Sequence, residues 1–201
     1  MERQTFSKGQ ADAFMAFKGK IRGVGLKNYA DYIIKEDGEE SLKKVEEVSA
    51  RVGYPIKYKT LRNMDFYPLG YQAITIEAIR QALGYTDEKF YELGNFEPKV
   101  SLIVKLFLKY FVSMDRLARE APNMWKKYYT VGDINITELN KNQRFLIIRL
   151  ENFPCHPIQC HETLRGYFAR MVQMVVAEEV ISKETKCVFR GDPYHEYQLS
   201  W

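Results

Sequence analysis

The sequence predicts an α+β protein with a helical N-terminal half, followed by a four-stranded antiparallel sheet in the order β-β-α-β-β, packed with helices. Three observations carry this. Apolar residues recur at three- and four-residue spacing through about residue 130. The pattern then switches to alternation rich in β-branched and aromatic residues. One long helical stretch separates two such alternating regions, and each region holds a turn.

The elements follow in order. Residues 1–20 read as a helical arm, with Phe6, Ala13, Phe14 and Phe17 near one face. In VGLKNYADYIIKEDG, Leu26, Tyr29, Ala30, Ile33 and Ile34 keep helical spacing until Gly38. A second helix begins at Glu39 and Glu40, turns Leu42, Val45 and Val48 inward, and stops at Gly53. Pro68 and Gly70 precede a third, whose inward residues are Ile74, Ala78, Ile79 and Leu83 and whose cap is Gly84. A helical turn through Phe90 and Leu93 follows. Val100 to Val112 reads as a strongly apolar central helix, and Asp115 to Glu120 and Asn123 to Tyr129 as two short helical pieces parted by Pro122.

DINITELNKNQRFLIIRLENF reads as a hairpin about Asn140-Lys141-Asn142. From Pro157 to Glu178 a helix returns on Leu164, Tyr167, Phe168, Met171 and Val175. VISKETKCVFRG and YHEYQLSW form a second hairpin joined at Gly191-Asp192-Pro193. No Pro/Ser linker intervenes, so residues 21–201 are expected to form one domain, helical over 21–130 and sheet-bearing over 131–201.

Composition bounds the function. Hydrophobic residues make up 46% and charged residues 28% of 201 positions, the balance of a globular protein with one sizeable core. The net charge of +4 is spread among mixed acids and bases, with no basic block to mark a nucleic-acid or membrane-surface partner. VSLIVKLFLKYFV, broken by Lys105 and Lys109, is too short to span a bilayer. The polar N-terminus lacks the apolar run of a signal peptide, so a cytoplasmic location is expected. In that setting three cysteines point to ligation, reactivity or burial rather than to a disulfide framework. Fourteen tyrosines and twelve phenylalanines fill a core or line a pocket.

The chemistry gathers near the C-terminal end. CHPIQCH, residues 155 to 161, holds two cysteines and two of the three histidines, and the remaining pair sits in KCVFRGDPYH. If the last hairpin centres on Gly191, Cys187 and His195 oppose each other on one sheet face, with Cβ atoms about 5 Å apart. Cys160 lies near a helix start, where the positive end of the helix favours a thiolate. Cys155 lies just upstream. Cys155, Cys160, Cys187 and His195 therefore make a candidate Cys₃His zinc site, with His156 and His161 as further contenders for a place in it. Buried thiols are the bland alternative. Cys155, Cys160 and His161 also form C-x₄-C-H, a longer version of the haem-attachment motif C-x-x-C-H, which makes covalent haem a second cofactor reading. There is no nucleophile elbow, P-loop or dinucleotide fingerprint, so an enzyme is not the leading expectation.

LRGYF at 164 to 168, KC at 186 and 187, and RGDPYHEYQLSW to the end resemble the 4-vinyl reductase domain family. Cys160, Gly166, Cys187 and Gly191 match its pattern. His195, eight residues after Cys187, stands where the family usually carries a second hairpin cysteine. FYPLGYQAITIEAIRQALGYTDEKFYELG is similar to the helical part of the same family. KIRGVGLKNYADYIIKEDGEESLKKV is similar to the start of haem-nitric-oxide-binding (H-NOX) domains, which share a superfamily with these proteins and with a Golgi vesicle-tethering subunit. The likeness spans about residues 20 to 201.

The resemblance implies an often dimeric α+β domain with a ligand-binding or sensory role and a zinc-binding Cys set beside an aromatic-ligand pocket. Tyr71, Phe107, Phe111, Trp125, Tyr167 and Phe168 are the candidate pocket residues, and a small apolar or aromatic molecule is the expected ligand. A homodimer and a separate signalling protein are the expected partners. The H-NOX branch implies a haem held by a helical histidine and a Y-x-S-x-R motif. This chain lacks that motif and has no histidine before residue 156. The tethering branch implies the alternative of an assembly module with Val100 to Val112 as a dimer face, and the family's name alone suggests an enzyme acting on a tetrapyrrole.

Overall fold

A computed structural model of the protein describes residues 5–100 and 113–201. Helix α1 (Lys8–Met15) opens with a reciprocal cap, in which the Ser7 hydroxyl accepts from the Gln10 N–H and the Gln10 side chain accepts from the Ser7 N–H. Phe6 and Ala11 bury against the core, whereas Ala13, expected to share their face, is exposed. Strand β1 (Lys20–Arg22) pairs with β2 (Phe66–Pro68) in a short antiparallel ribbon. Between them run α2 (Gly23–Asp37) and α3 (Glu39–Arg51), parted by Gly38 as expected. Helix α4 (Gly70–Leu83) ends at Gly84, and α5 spans Asp87–Val100. Apart from Val100, the expected helix Val100 to Val112 lies outside the described residues.

Helix α6 (Met114–Tyr128) corrects the expectation of two short pieces, because Pro122 sits inside a single helix. An interior proline costs about 3 kcal/mol. Met114, Leu117, Met124, Trp125 and Tyr128 nevertheless form one buried stripe across it, and that burial outweighs the lost bond.

The sheet comprises β3 (Asp133–Asn140), β4 (Phe145–Glu151), β5 (Ile181–Lys186) and β6 (His195–Ser200), all antiparallel in the order β3-β4-β6-β5. Leu146 opposes Leu199, Ile148 opposes Tyr197 and Leu150 opposes His195, and all six are buried on the face covered by helices. Between the hairpins lies a wide π-helical turn, Gln159–Thr163, that leads into α7 (Leu164–Val176).

Two glycines let α7 and its leading turn lie directly on α5. A Cβ on Gly166 would stand 2.1 Å from the Tyr91 carbonyl oxygen, and one on Gly94 would stand 1.9 Å from that of Thr163. This close approach fixes the π-turn between the helices and the end of the sheet, where both candidate sites meet. No helix among the described residues is long and apolar enough to cross a membrane.

Candidate functional site

The first site is an apolar cavity of about 60 Å³ between α6, α7 and the inner sheet face. On this measure roughly 15 Å³ holds one water and a benzene-binding cavity is about 150 Å³, so a molecule of a few heavy atoms fits as the walls stand and an aromatic ring requires them to part. Leu117, Met124 and Trp125 come from α6, Ile134, Leu146 and Ile148 from the sheet, and Tyr167, Phe168 and Met171 from α7. Two polar groups enter this wall. Gln72 donates its amide to the hydroxyls of Tyr29 (3.0 Å) and Tyr129 (3.1 Å), and accepts from the Gln159 amide at 2.8 Å. Thr163, which is 3% exposed, carries a buried hydroxyl with no hydrogen-bond partner among the described residues. An unpartnered buried hydroxyl costs about 1–3 kcal/mol, which makes it a natural anchor for one polar atom of a ligand.

Of the residues expected to line a pocket, Trp125, Tyr167 and Phe168 do so. Tyr71 is not part of this lining, and Phe107 and Phe111 lie outside the described residues. The Trp125 ring is held by donation of its N–H to the Val131 carbonyl at 2.9 Å and by stacking on Tyr129 at 4.4 Å.

The second site lies at the end of the same sheet. Cys155 and Cys160 form a disulfide with Cα atoms 6.6 Å apart, within the reach of such a bond. This corrects the expectation that the cysteines would stay unpaired, since a four-residue gap ending in the π-turn folds the two thiols together. His195 Nε2 lies 3.5 Å from Cys155 Sγ, so these three residues make one compact donor group. Cys187, the one free thiol, belongs to an adjoining group with His161 and Glu184, and its sulfur lies 4.0 Å from both ring nitrogens of His161. His156 faces elsewhere: its Nδ1 accepts from the Ile158 N–H and its Nε2 meets Glu77 at 2.8 Å.

Glu184 joins the two groups. Its Oε1 is 3.1 Å from His195 Nδ1, and its Oε2 is 2.7 Å from His161 Nδ1. A local irregularity explains its position. Glu184 opposes Tyr197 and faces inward, but a β-bulge follows, so that Lys186 opposes Glu196 on the outer face. The bulge shifts the alternation by one residue and turns Cys187 inward as well. Burial drives the Glu184 carboxyl upward, but hydrogen bonds from His195 and His161 outweigh it and leave the group below its ordinary range. Burial pushes the Cys187 thiol up, with the backbone N–H groups of Phe189 and Arg190 acting in the opposite direction.

The π-turn touches both sites. Gln159 bonds to Gln72, Cys160 carries the disulfide, His161 meets Glu184, and Thr163 faces the cavity. The Tyr197 hydroxyl donates to the Cys160 carbonyl at 2.9 Å and ties the turn to β6. Sequence reasoning missed Glu184, Gln72, Gln159 and Thr163. The lone polar residue ahead of the apolar run in QAITIEAI was the available sign for Gln72.

A haem does not suit these residues. Among the described residues the cavity lining contains no histidine or cysteine to ligate an iron, and the open space of about 60 Å³ is below even the roughly 150 Å³ of a benzene-binding cavity. In C-x₄-C-H, the two sulfurs that would make thioethers bond each other, and His161 is engaged with Glu184.

No family model and no curated protein matches the chain. Solved structures do. An H-NOX domain from Shewanella oneidensis aligns with TM-score 0.64 and 12% identity over 90% of this chain and 98% of that one. An H-NOX protein from K. algicida aligns with TM-score 0.63 and 12% identity over 90% and 96%. A vinyl-4-reductase family protein from Methanocaldococcus jannaschii reaches TM-score 0.44 and 17% identity over 80% and 92%. The chain therefore has the fold of H-NOX domains.

Proposed function

We propose that the chain is a non-enzymatic small-molecule-binding or sensory module. Its cavity takes a small apolar or aromatic molecule, and the adjoining Cys/His group holds zinc once the Cys155–Cys160 bond is reduced. The observation that carries this reading is that one five-residue turn, Gln159–Thr163, supplies residues to both sites. Metal or ligand at one site is thereby felt at the other.

Reduction by a dithiol adds two electrons and two protons to the disulfide and leaves two thiols. With their protons released to solvent, Cys155 and Cys160 would hold zinc as thiolates together with His195 Nε2 and, as fourth ligand, Cys187. His195 suits this role. Its Nδ1–H is directed at Glu184, which leaves Nε2 facing the sulfurs, the usual setting of a metal-bound imidazole. In a cytoplasm, a disulfide of this kind belongs to the reversible class. A homodimer that signals to a separate protein completes the proposal.

Native mass spectrometry of dithiol-reduced, zinc-supplemented protein tests it, together with Trp125 fluorescence on titration with phenol and alkylbenzenes. The expected result is one zinc per chain, bound at least about tenfold more weakly in Cys160→Ser, and a fluorescence change lost in Ala121→Leu, which fills the cavity but leaves the zinc in place. A zinc-free protein that binds no probe and forms a tight empty dimer would favour the assembly reading.

A further inference from the structure

We propose a second metal site, formed by His161, Glu184 and Cys187, that takes a divalent ion of the zinc type while the Cys155–Cys160 disulfide is intact. It does not depend on the zinc reading above, because that reading requires the two sulfurs which the disulfide here occupies.

Two chain segments that are remote in sequence build the site, the π-turn and the end of β5. The bulge in β5 turns both Glu184 and Cys187 inward although they are three residues apart, and the π-turn lays His161 over them. The donor atoms lie within 4.8 Å of one another. Zinc–ligand distances of about 2.0 Å to N and O and 2.3 Å to S place tetrahedral ligands roughly 3.3–3.6 Å apart. The observed separations bracket that range, at 2.7 Å between His161 Nδ1 and Glu184 Oε2 and 4.0 Å between His161 and the Cys187 sulfur. Turning of the one-third-exposed His161 ring brings one of its nitrogens onto an ion shared with the other two ligands.

Further observations concern each ligand separately. Glu184 is only 6% exposed, and its other oxygen is held by His195 Nδ1, so its orientation is set from outside the site. The Cys187 backbone is fixed by donation of its N–H to Asp192 Oδ2 at 2.8 Å, and its carbonyl accepts from the N–H groups of Arg190 and Asp192. His161 is one-third exposed and leaves a path for an ion from solvent. Arg190 Nη1, 3.4 Å from Glu184 Oε2, is the group an ion would displace, and it is half exposed and free to leave. Three protein ligands leave the fourth position of the ion for water or for a donor atom of a bound molecule.

The test is a Co²⁺ titration of the full chain without thiol reductant, followed by thiolate-to-cobalt absorption. We expect one Co²⁺ per chain. The absorption disappears in Cys187→Ser, affinity falls at least about tenfold in His161→Ala and in Glu184→Gln, and binding survives in the Cys155→Ser/Cys160→Ser double variant. His161→Ala removes a partly exposed side chain and keeps the test decisive if Glu184→Gln fails to fold. Absence of the absorption, unchanged binding in His161→Ala, or loss of binding in the double variant would each overturn the proposal. The zinc reading of the reduced protein is measured separately, so the two fail independently.

Discussion

The middle and the end of one sheet face do opposite things with the same strands. In the middle, Leu146 and Ile148 of β4 border an apolar cavity, and Tyr197 and Leu199 of β6 are buried beside them. At the end, Leu150 pairs with His195, and a bulge in β5 gathers a carboxylate, two imidazoles and three sulfurs. The polar end is tolerated in a buried place because its donors and acceptors answer one another. The cavity is largely apolar, and of the two polar groups in its wall the Gln72 amide is answered by its neighbours while the Thr163 hydroxyl is answered by nothing in the described structure. The lesson is that a π-turn and a one-residue shift in strand pairing together convert core into reactive site without altering the fold.

The largest blow to both regions is expected from Gly166→Ala. Its methyl would meet the Tyr91 carbonyl backbone at 2.1 Å, pushing α7 and the π-turn off α5. A loss of about 2–4 kcal/mol in urea denaturation is expected, with cavity and cluster affected together. A smaller loss is expected at the polar end alone on reducing the Cys155–Cys160 bond. Its short loop, with a sequence separation of 5, constrains the unfolded chain by about 2 kcal/mol. Thermal melts with a phosphine reductant should fall accordingly and recover when zinc is added, while cavity ligation stays measurable.

Acid provides a third way to separate the regions. The folded Glu184 carboxyl lies below its ordinary value of 4.5. Its contribution to stability is therefore present above that value and is lost as pH falls through the lower folded value. In Glu184→Gln this part of the acid limb should flatten, as read from denaturation midpoints between neutral pH and pH about 3. The smallest effect belongs to the cavity. Thr163→Val removes the unpartnered hydroxyl and should leave stability unchanged or raise it by up to about 1 kcal/mol. The same change should weaken any ligand that places a polar atom there, relative to an apolar analogue.

The amino-acid pattern made most of the architecture legible. Gly38 and Gly84 ended the expected helices, and the switch to alternation near residue 131 announced the sheet. The gathering of cysteines and histidines was equally visible, because clustered residue types survive without coordinates. Glu184 was not visible, since ISKETK reads as an ordinary solvated strand and a bulge leaves no mark in a single sequence. Pro122 misled because a local rule was outweighed by a buried stripe that runs through it. Ala11 rather than Ala13 faces inward because Ser7 starts the helix and so sets its phase.

The central claim, that the sheet end is a metal-binding centre tied to the cavity, is tested most directly by crystals of the dithiol-reduced protein grown with zinc. An anomalous-difference map at the zinc edge should show one strong peak bounded by Cys155, Cys160 and His195. A map with no peak there, and with the three side chains directed apart, would contradict the account.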